Sequence, residues 1–267
     1  MLELKSLKDI KLYILDMDGT IYLGSKLFSY TKDFFEFLEN HDKEYILFTN
    51  NASKNVAAYA DKLKSMSLAV PEKNILTSGD VTAAFLKKHR SKSSVYLVGT
   101  ELLRDLFVKE GIALTEQDPD IVVTSFDTSL TYEKLDKACR YIREGAEFIS
   151  THCDINCPTE NGFMPDSGAI CAAITASTGV TPRFFGKPYK ETIEMIEEIT
   201  GYGRKDMAII GDRLYTDIKM GKNSGIKSIL VLSGETKASD LEKSDIVPDW
   251  VFEDLGQFLD NIRKAYL

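Results

Sequence analysis

From residue 13 almost to the C-terminus, short β-rich apolar runs alternate with segments of helical period, and few architectures accommodate that alternation. Strand-like runs fall at residues 13–15, 45–48, 95–98, 121–125, 147–150, 183–185, 207–210 and 228–232. Between them, apolar residues recur every three or four positions, the mark of a helix with one buried face. Such stretches cover residues 31–40 (with Phe34, Phe35, Phe37 and Leu38), 54–66, the neighbourhood of Leu102, Leu103, Leu106 and Phe107, and 132–143. Others cover 168–178, rich in small residues, then 191–200, roughly 217–223, and 255–266. Strand, helix and strand in repetition predict parallel sheets flanked by helices, an α/β fold. The chain shows no internal repeat and no low-complexity linker, so a domain boundary has to be sought from the chemistry.

Charge narrows the choice of partner. The 267 residues carry a formal net charge of -8, which disfavours nucleic acid, because backbone binding needs clustered Lys and Arg. Small anionic ligands remain open, since a few N–H groups and one lysine can hold them. No apolar run approaches the length of a membrane span, and the start of the chain lacks a secretory pattern. The four cysteines, Cys139, Cys153, Cys157 and Cys171, have no paired spacing and read as reduced thiols of a cytoplasmic protein. His152, Cys153 and Cys157 suggest zinc only weakly, for no fourth ligand stands nearby.

Four polar signatures each follow a predicted strand. The first is Asp16-Met17-Asp18-Gly19-Thr20. On extended backbone, residues two apart project to one side, so both carboxylates can face a cleft while Met17 turns inward, and Gly19 permits a tight turn. Two neighbouring carboxylates repel unless a cation or a shared proton intervenes. The second is Phe48-Thr49-Asn50-Asn51, whose hydroxyl, amides and free N–H groups suit phosphate oxygens. The third is Gly186-Lys187-Pro188, and the fourth Gly211-Asp212-Arg213-Leu214-Tyr215-Thr216-Asp217. Singly, the last three read equally well as a turn, a solvated lysine and a helix cap. Together they fall where open parallel sheets bind ligands, beyond the carboxyl ends of strands.

In this order the signatures resemble the four motifs of the haloacid dehalogenase superfamily, and more narrowly its NagD and nitrophenylphosphatase-type branch. The wording around residues 15–22, 48–51, 186–188 and 211–217 is close to that branch, as are Thr151, His152, Asp154, Pro158, Gly162, Pro165 and Gly168-Ala169-Ile170. Asp166 departs from it, where Gly is expected. The resemblance implies a Rossmann-like parallel-sheet core, residues 1–79 and 183–267, with an inserted α/β cap of the C2 type, residues 80–182. It implies a magnesium-dependent phosphomonoesterase in which Asp16 is the nucleophile and Asp18 the general acid and base. Asp16, the Asp18 carbonyl and Asp212 would bind Mg²⁺, with Asp217 behind them or bridged by water, while Thr49, Asn50, Asn51 and Lys187 hold the phosphate. The substrate would be a small phosphate ester, such as a nucleotide or sugar phosphate, and a homodimer is left open.

Two rivals use similar parts. A phospho-acceptor signalling module needs Asp, Thr and Lys at strand ends but only one small α/β layer, against which the long insertion and the Asp16/Asp18 pair both speak. A phosphomutase of this core usually carries a helical cap between the first two motifs, and residues 21–48 are too few for one. The stretch 152–168, with His152, Asp154, Asn156, Asn161 and two prolines, is expected to be irregular and to touch the leaving group of the substrate.

Overall fold

The computed structural model describes residues 6–159 and 162–266. Residues 1–5, part of the stretch read for a leader, and Asn161 lie outside the described residues. Along the chain the strands begin with β1 (Leu12–Leu15), the pair β2 (Tyr22–Leu23) and β3 (Lys26–Leu27), β4 (Glu44–Thr49) and β5 (Ile75–Thr77). Then come β6 (Ser94–Val98), β7 (Ala113–Leu114), β8 (Ile121–Thr124), β9 (Glu147–Ser150), the pair β10 (Asn156–Thr159) and β11 (Gly162–Pro165), and β12 (Arg183–Phe184). The last three are β13 (Met207–Gly211), β14 (Lys227–Val231) and β15 (Trp250–Phe252).

The chain divides into two compact units. The first comprises Met1–Phe48, Ala60–Ile75 and Lys187–Leu267. It is built on a six-stranded sheet of order β15-β14-β13-β1-β4-β5, in which β1 runs parallel to both neighbours, β13 and β4. Every residue of β1 is buried, which explains its uninterrupted Leu-Tyr-Ile-Leu sequence: a strand covered on both faces has no polar side to alternate with. Tyr13 packs edge-on against Phe34 of the helix Thr31–Asn40 and Phe258 of the helix Leu255–Tyr266, each with ring centroids 6.1 Å away. The order of the sheet reverses at β1, since the chain passes to β4 on one side and later to β13 on the other. At such a switch point the connections leave in opposite directions and open a crevice at the carboxyl ends.

The second unit comprises Thr49–Tyr59 and Leu76–Gly186. Its five-stranded parallel sheet has the order β12-β9-β8-β6-β7. The helices Tyr132–Arg143 and Ser167–Thr178 cover it through a core that includes Tyr96, Val122, Tyr141, Phe148, Ile170 and Ile174.

Most of the expected elements are present, with small shifts at their ends. The expected helix 54–66 runs from Val56 to Ser65, because Asn55 accepts the Ala58 N–H and so ends the loop before it. The helix expected near 217–223 is preceded by a wide turn of π type, Leu214–Ile218, and itself covers Lys219–Ser224. The stretch expected to be irregular after residue 152 contains the antiparallel hairpin β10–β11. Among the described residues, no helix is long and apolar enough to cross a membrane.

Candidate active site

The acidic residues of the first unit gather at the carboxyl ends of β1 and β13. Asp16 follows β1 directly, and its N–H donates to the Ile210 carbonyl of β13 at 2.9 Å, so the ladder carries the nucleophile candidate one residue past the strand. Met17 is buried at 1% exposure while Asp18 is exposed, the alternation that an extended backbone requires. Gly19 has φ +85, a left-handed conformation that glycine takes without strain.

Lys187 is buried and reaches two carboxylates, Asp16 Oδ1 at 2.6 Å and Asp217 Oδ1 at 2.7 Å. Its ammonium also donates to the Phe48 carbonyl at 3.5 Å, near the end of β4. Burial pulls the pKa of Lys187 down, but Asp16 and Asp217 outweigh it and hold the lysine charged above its ordinary range. Asp212 follows β13. The Glu235 N–H donates to Asp212 Oδ2 at 2.6 Å, whereas Asp212 Oδ1 is buried with no hydrogen-bond partner among the described residues. Asp217, fully buried, accepts the Arg213 N–H at 3.1 Å through Oδ2.

Glycine makes room for these carboxylates. A Cβ at Gly234 would overlap the Asp212 carboxylate, one at Gly19 would come within 2.5 Å of it, and one at Gly211 would overlap Asp217.

Asp16, Asp212 and Asp217 each offer an oxygen within 4.8 Å of the others. Burial above all, then the charges of Asp16 and Asp217, raises the Asp212 pKa well above its ordinary value. Burial, the largest effect, and Asp16 push Asp217 up to about 6 although Lys187 opposes them. Lys187, with Arg213 shared with Glu235, leaves three carboxylates short of positive charge, and the orphaned Asp212 Oδ1 is an acceptor in want of a cation. The donors are all oxygen, the set that hard divalent cations prefer. The residues therefore fit a Mg²⁺-type ion. Asp18 also sits above the ordinary range: loss of hydration dominates and Asp16 adds to it, against Lys62 and the Gly24 N–H. A carboxyl so placed holds a proton more readily than a free one.

The remaining expected site residues lie in the second unit. The Asn51 N–H donates to Thr49 Oγ1 at 3.2 Å, and Asn51 Oδ1 accepts from the Ser53 N–H and hydroxyl at 3.0 and 2.6 Å. These bonds fold residues 49–53 into a tight turn. Asn50 is buried, and its amide meets the Asp154 carboxylate.

The stretch 152–168 divides in two. His152, Asp154 and Asp166 are buried inside the second unit, while both strands of the hairpin are largely exposed. His152 groups with Asp154 and Asp166, not with Cys153 and Cys157. Its ring nitrogens are engaged, Nε2 with Asp166 Oδ1 at 2.8 Å and Nδ1 with Thr151 Oγ1 at 3.0 Å. None of the four cysteines is in a disulfide among the described residues. Asp166, where glycine was expected, accepts the Ser167 N–H at the start of a helix, a role glycine's missing side chain could not fill.

The sequence alone drew no attention to residues 233–235, which bring Gly234 and the Glu235 N–H against Asp212. The signal was available, since Ser233-Gly234-Glu235 follows the apolar run at 228–232 just as the other polar signatures follow theirs.

Residues 13–113 match the family model described as haloacid dehalogenase-like hydrolase, and residues 184–258 match a second model of HAD-hydrolase-like proteins. An acid sugar phosphatase from Staphylococcus saprophyticus is 35% identical over 259 residues, 97% of this chain and 100% of the relative. The 5'-nucleotidase YutF of Bacillus subtilis is 35% identical over 253 residues, 92% of this chain and 99% of its own. Among solved structures, a 4-nitrophenylphosphatase from Thermotoga maritima superposes with a TM-score of 0.93 at 45% identity, covering 96% of this chain and 98% of that one. NagD from E. coli K-12 does so with a TM-score of 0.87 at 28% identity, covering 93% and 98%.

Proposed function

The chain belongs to the haloacid dehalogenase-like hydrolases and is a phosphatase of small phosphate esters, and we propose that it works through a phosphorylated Asp16 with Mg²⁺ as its cofactor. The observation that carries the reading is the buried set of Asp16, Asp212, Asp217 and Lys187 with one carboxylate oxygen left over. In the first half-reaction an Asp16 oxygen attacks phosphorus, the bond from phosphorus to the alcohol oxygen breaks, and Asp18 gives that oxygen its proton. In the second, water attacks the phosphorus of the aspartyl phosphate, Asp18 takes the proton back, and inorganic phosphate leaves with the Asp16 carboxylate restored. Lys187 keeps the Asp16 carboxylate oriented and offsets charge on the transferring group.

Asp16, the Asp18 carbonyl and Asp212 would hold the ion, with Asp217 behind them, and the bound cation would neutralise phosphate oxygens as charge redistributes. In the same reading, residues 49–51 offer the phosphate the Thr49 hydroxyl and the N–H groups of a turn at the end of β4. Residues 1–79 and 183–267 act as the catalytic core and 80–182 as a cap that shapes access. Four cysteines outside any disulfide agree with a reducing cytoplasm. The relatives named for sugar phosphates and nucleotides make those two ester classes the first to try.

Phosphate release across a panel of such esters, with and without Mg²⁺, tests the whole reading. Release from several esters that stops on chelation and returns with Mg²⁺ is expected. Undiminished release after exhaustive chelation would remove the metal from it, and hydrolysis with no phosphoenzyme in rapid-quench samples would remove the covalent step.

A further inference from the structure

Inside the second unit, a chain of buried polar groups converges on the residue after Thr49. Asn50 Nδ2 lies 3.2 Å from each carboxylate oxygen of Asp154, 104 positions away in sequence. The Asn50 carbonyl accepts the Ser78 hydroxyl at 2.5 Å. On its far side, Asn50 Oδ1 faces Gly186, where a Cβ would approach to 2.6 Å. Behind this contact His152, fully buried, stands 3.4 Å from the Ser78 hydroxyl and is held by Asp166. The Asp154 main chain is fixed too, since its carbonyl accepts the Gly168 N–H at 2.8 Å and a Cβ at Gly168 would come within 2.9 Å of that oxygen.

Burying a carboxylate is unfavourable unless strong hydrogen bonds replace its water, and a charge-assisted bond to an amide is such a replacement. Ending a strand needs nothing of the kind. The turn at residues 49–53 already closes through its own side chains, so what Asp154 adds is orientation of Asn50 about the chain. We infer that Asp154 is a positioning residue: it locks Asn50, and with it the Thr49 and Asn51 groups on either side, in the setting that receives phosphate. It rests on the reading of residues 49–51 as phosphate-binding. It also moves Asp154 away from the leaving group, where the sequence had suggested it, and onto the phosphate, which all substrates share.

The test compares Asp154→Ala and Asp154→Asn with wild type in the Mg²⁺-loaded enzyme. The measurements are kcat and KM for 4-nitrophenyl phosphate and for a nucleoside monophosphate, and the inhibition constant of inorganic phosphate. Losing an acceptor that orients a binding group should raise both KM values and the phosphate inhibition constant together, by about tenfold in D154A, with kcat changed far less. D154N keeps one acceptor oxygen and should fall between; it also answers the question if D154A folds poorly. An inhibition constant within about twofold of wild type in a folded variant overturns the inference, and so does a loss several times larger for one ester than for the other. Thr49→Ala and Lys187→Ala serve as controls. If they leave phosphate binding unchanged, the phosphate-binding reading itself fails; if they weaken it while D154A does not, only the role of Asp154 fails.

Discussion

Asp16 and Asp18 stand two positions apart and occupy different environments, and chemistry follows from the difference. Asp16 is buried against Lys187, which on the proposed mechanism keeps its carboxylate aligned for attack. Asp18 is exposed, and its carboxyl is raised above the ordinary range, chiefly by lost hydration. Asp16→Asn keeps the volume and removes the nucleophile, so turnover should fall on the order of 10⁴-fold or more while circular dichroism stays that of wild type; turnover within tenfold would sink the covalent route. Asp18→Asn should behave differently with 4-nitrophenyl phosphate, whose leaving group needs little protonation. One equivalent of nitrophenol should appear in a burst and hydrolysis should then stall, because the water that follows has no base. Steady turnover without a burst would assign the proton to another group. Both carboxylates were legible in the sequence because strand periodicity and an apolar run fix where such residues point. The pairing of Asn50 with Asp154 was not, since nothing local links residues 104 positions apart.

At the scale of elements, the site is made by strand ends that sequence order does not bring together. β13 delivers Asp212, and the loop after β14 returns Gly234 and the Glu235 N–H against it. Strand ends are visible in a sequence as polar residues after apolar runs, but which ends meet depends on sheet order, and that is set by packing. For the same reason the wide turn Leu214–Ile218 escaped notice: its residues keep a helical pattern while the backbone opens to bring Asp217 under Gly211. Gly234→Ala should push the Asp212 carboxylate aside and weaken Mg²⁺ binding by about 10- to 100-fold, the usual effect of disturbing the groups that hold a ligand. Calorimetric titration of the metal is the measurement. Gly203→Ala, whose Cβ would meet only Asp206, at 3.9 Å, among the described residues, serves as the control and should leave the affinity unchanged; equal affinities in both variants would contradict the cradle.

If a cation binds at these oxygens, as proposed, protons compete with it. Asp217 is pushed up to about 6 in the folded chain from its ordinary 3.8. Between those values the metal-free folded protein holds a proton that the unfolded chain has released. Its stability should therefore rise as pH falls through about 6, with no further gain below about 4. A cation relieves the same repulsion without a proton. The rise in melting temperature on adding Mg²⁺ should accordingly be larger near pH 8 than near pH 5. A rise that is equal at both pH values would mean that the ion binds elsewhere.

At the scale of the molecule, the carboxylates proposed for catalysis and Lys187 all belong to one unit, and the second unit carries an exposed hairpin. The parallel sheets of both units were legible from alternating strand and helix patterns. The hairpin was not, because Asn156-Cys157-Pro158-Thr159 carries a proline and little apolar character and reads as loop. Its exposure is the informative feature. Phe163 is 72% exposed and Ile155, just before β10, 55%, with Met164 of β11 exposed as well, so three large apolar side chains reach water on one short hairpin. An apolar surface kept in water is commonly kept for contact. If that contact is with the alcohol part of the substrate, Phe163→Ala and Asn156→Ala should change preference among esters and leave metal dependence alone. Losing one such contact should shift the ratio of kcat/KM between a large ester and a minimal one by about 10- to 100-fold. Asp154→Ala, which acts on the shared phosphate, should lower both by one factor, so the two kinds of variant separate selection from phosphate binding within a single pair of substrates. Should the hairpin variants also lower both esters equally, the hairpin does not select, and the residues that do must be sought elsewhere in 80–182.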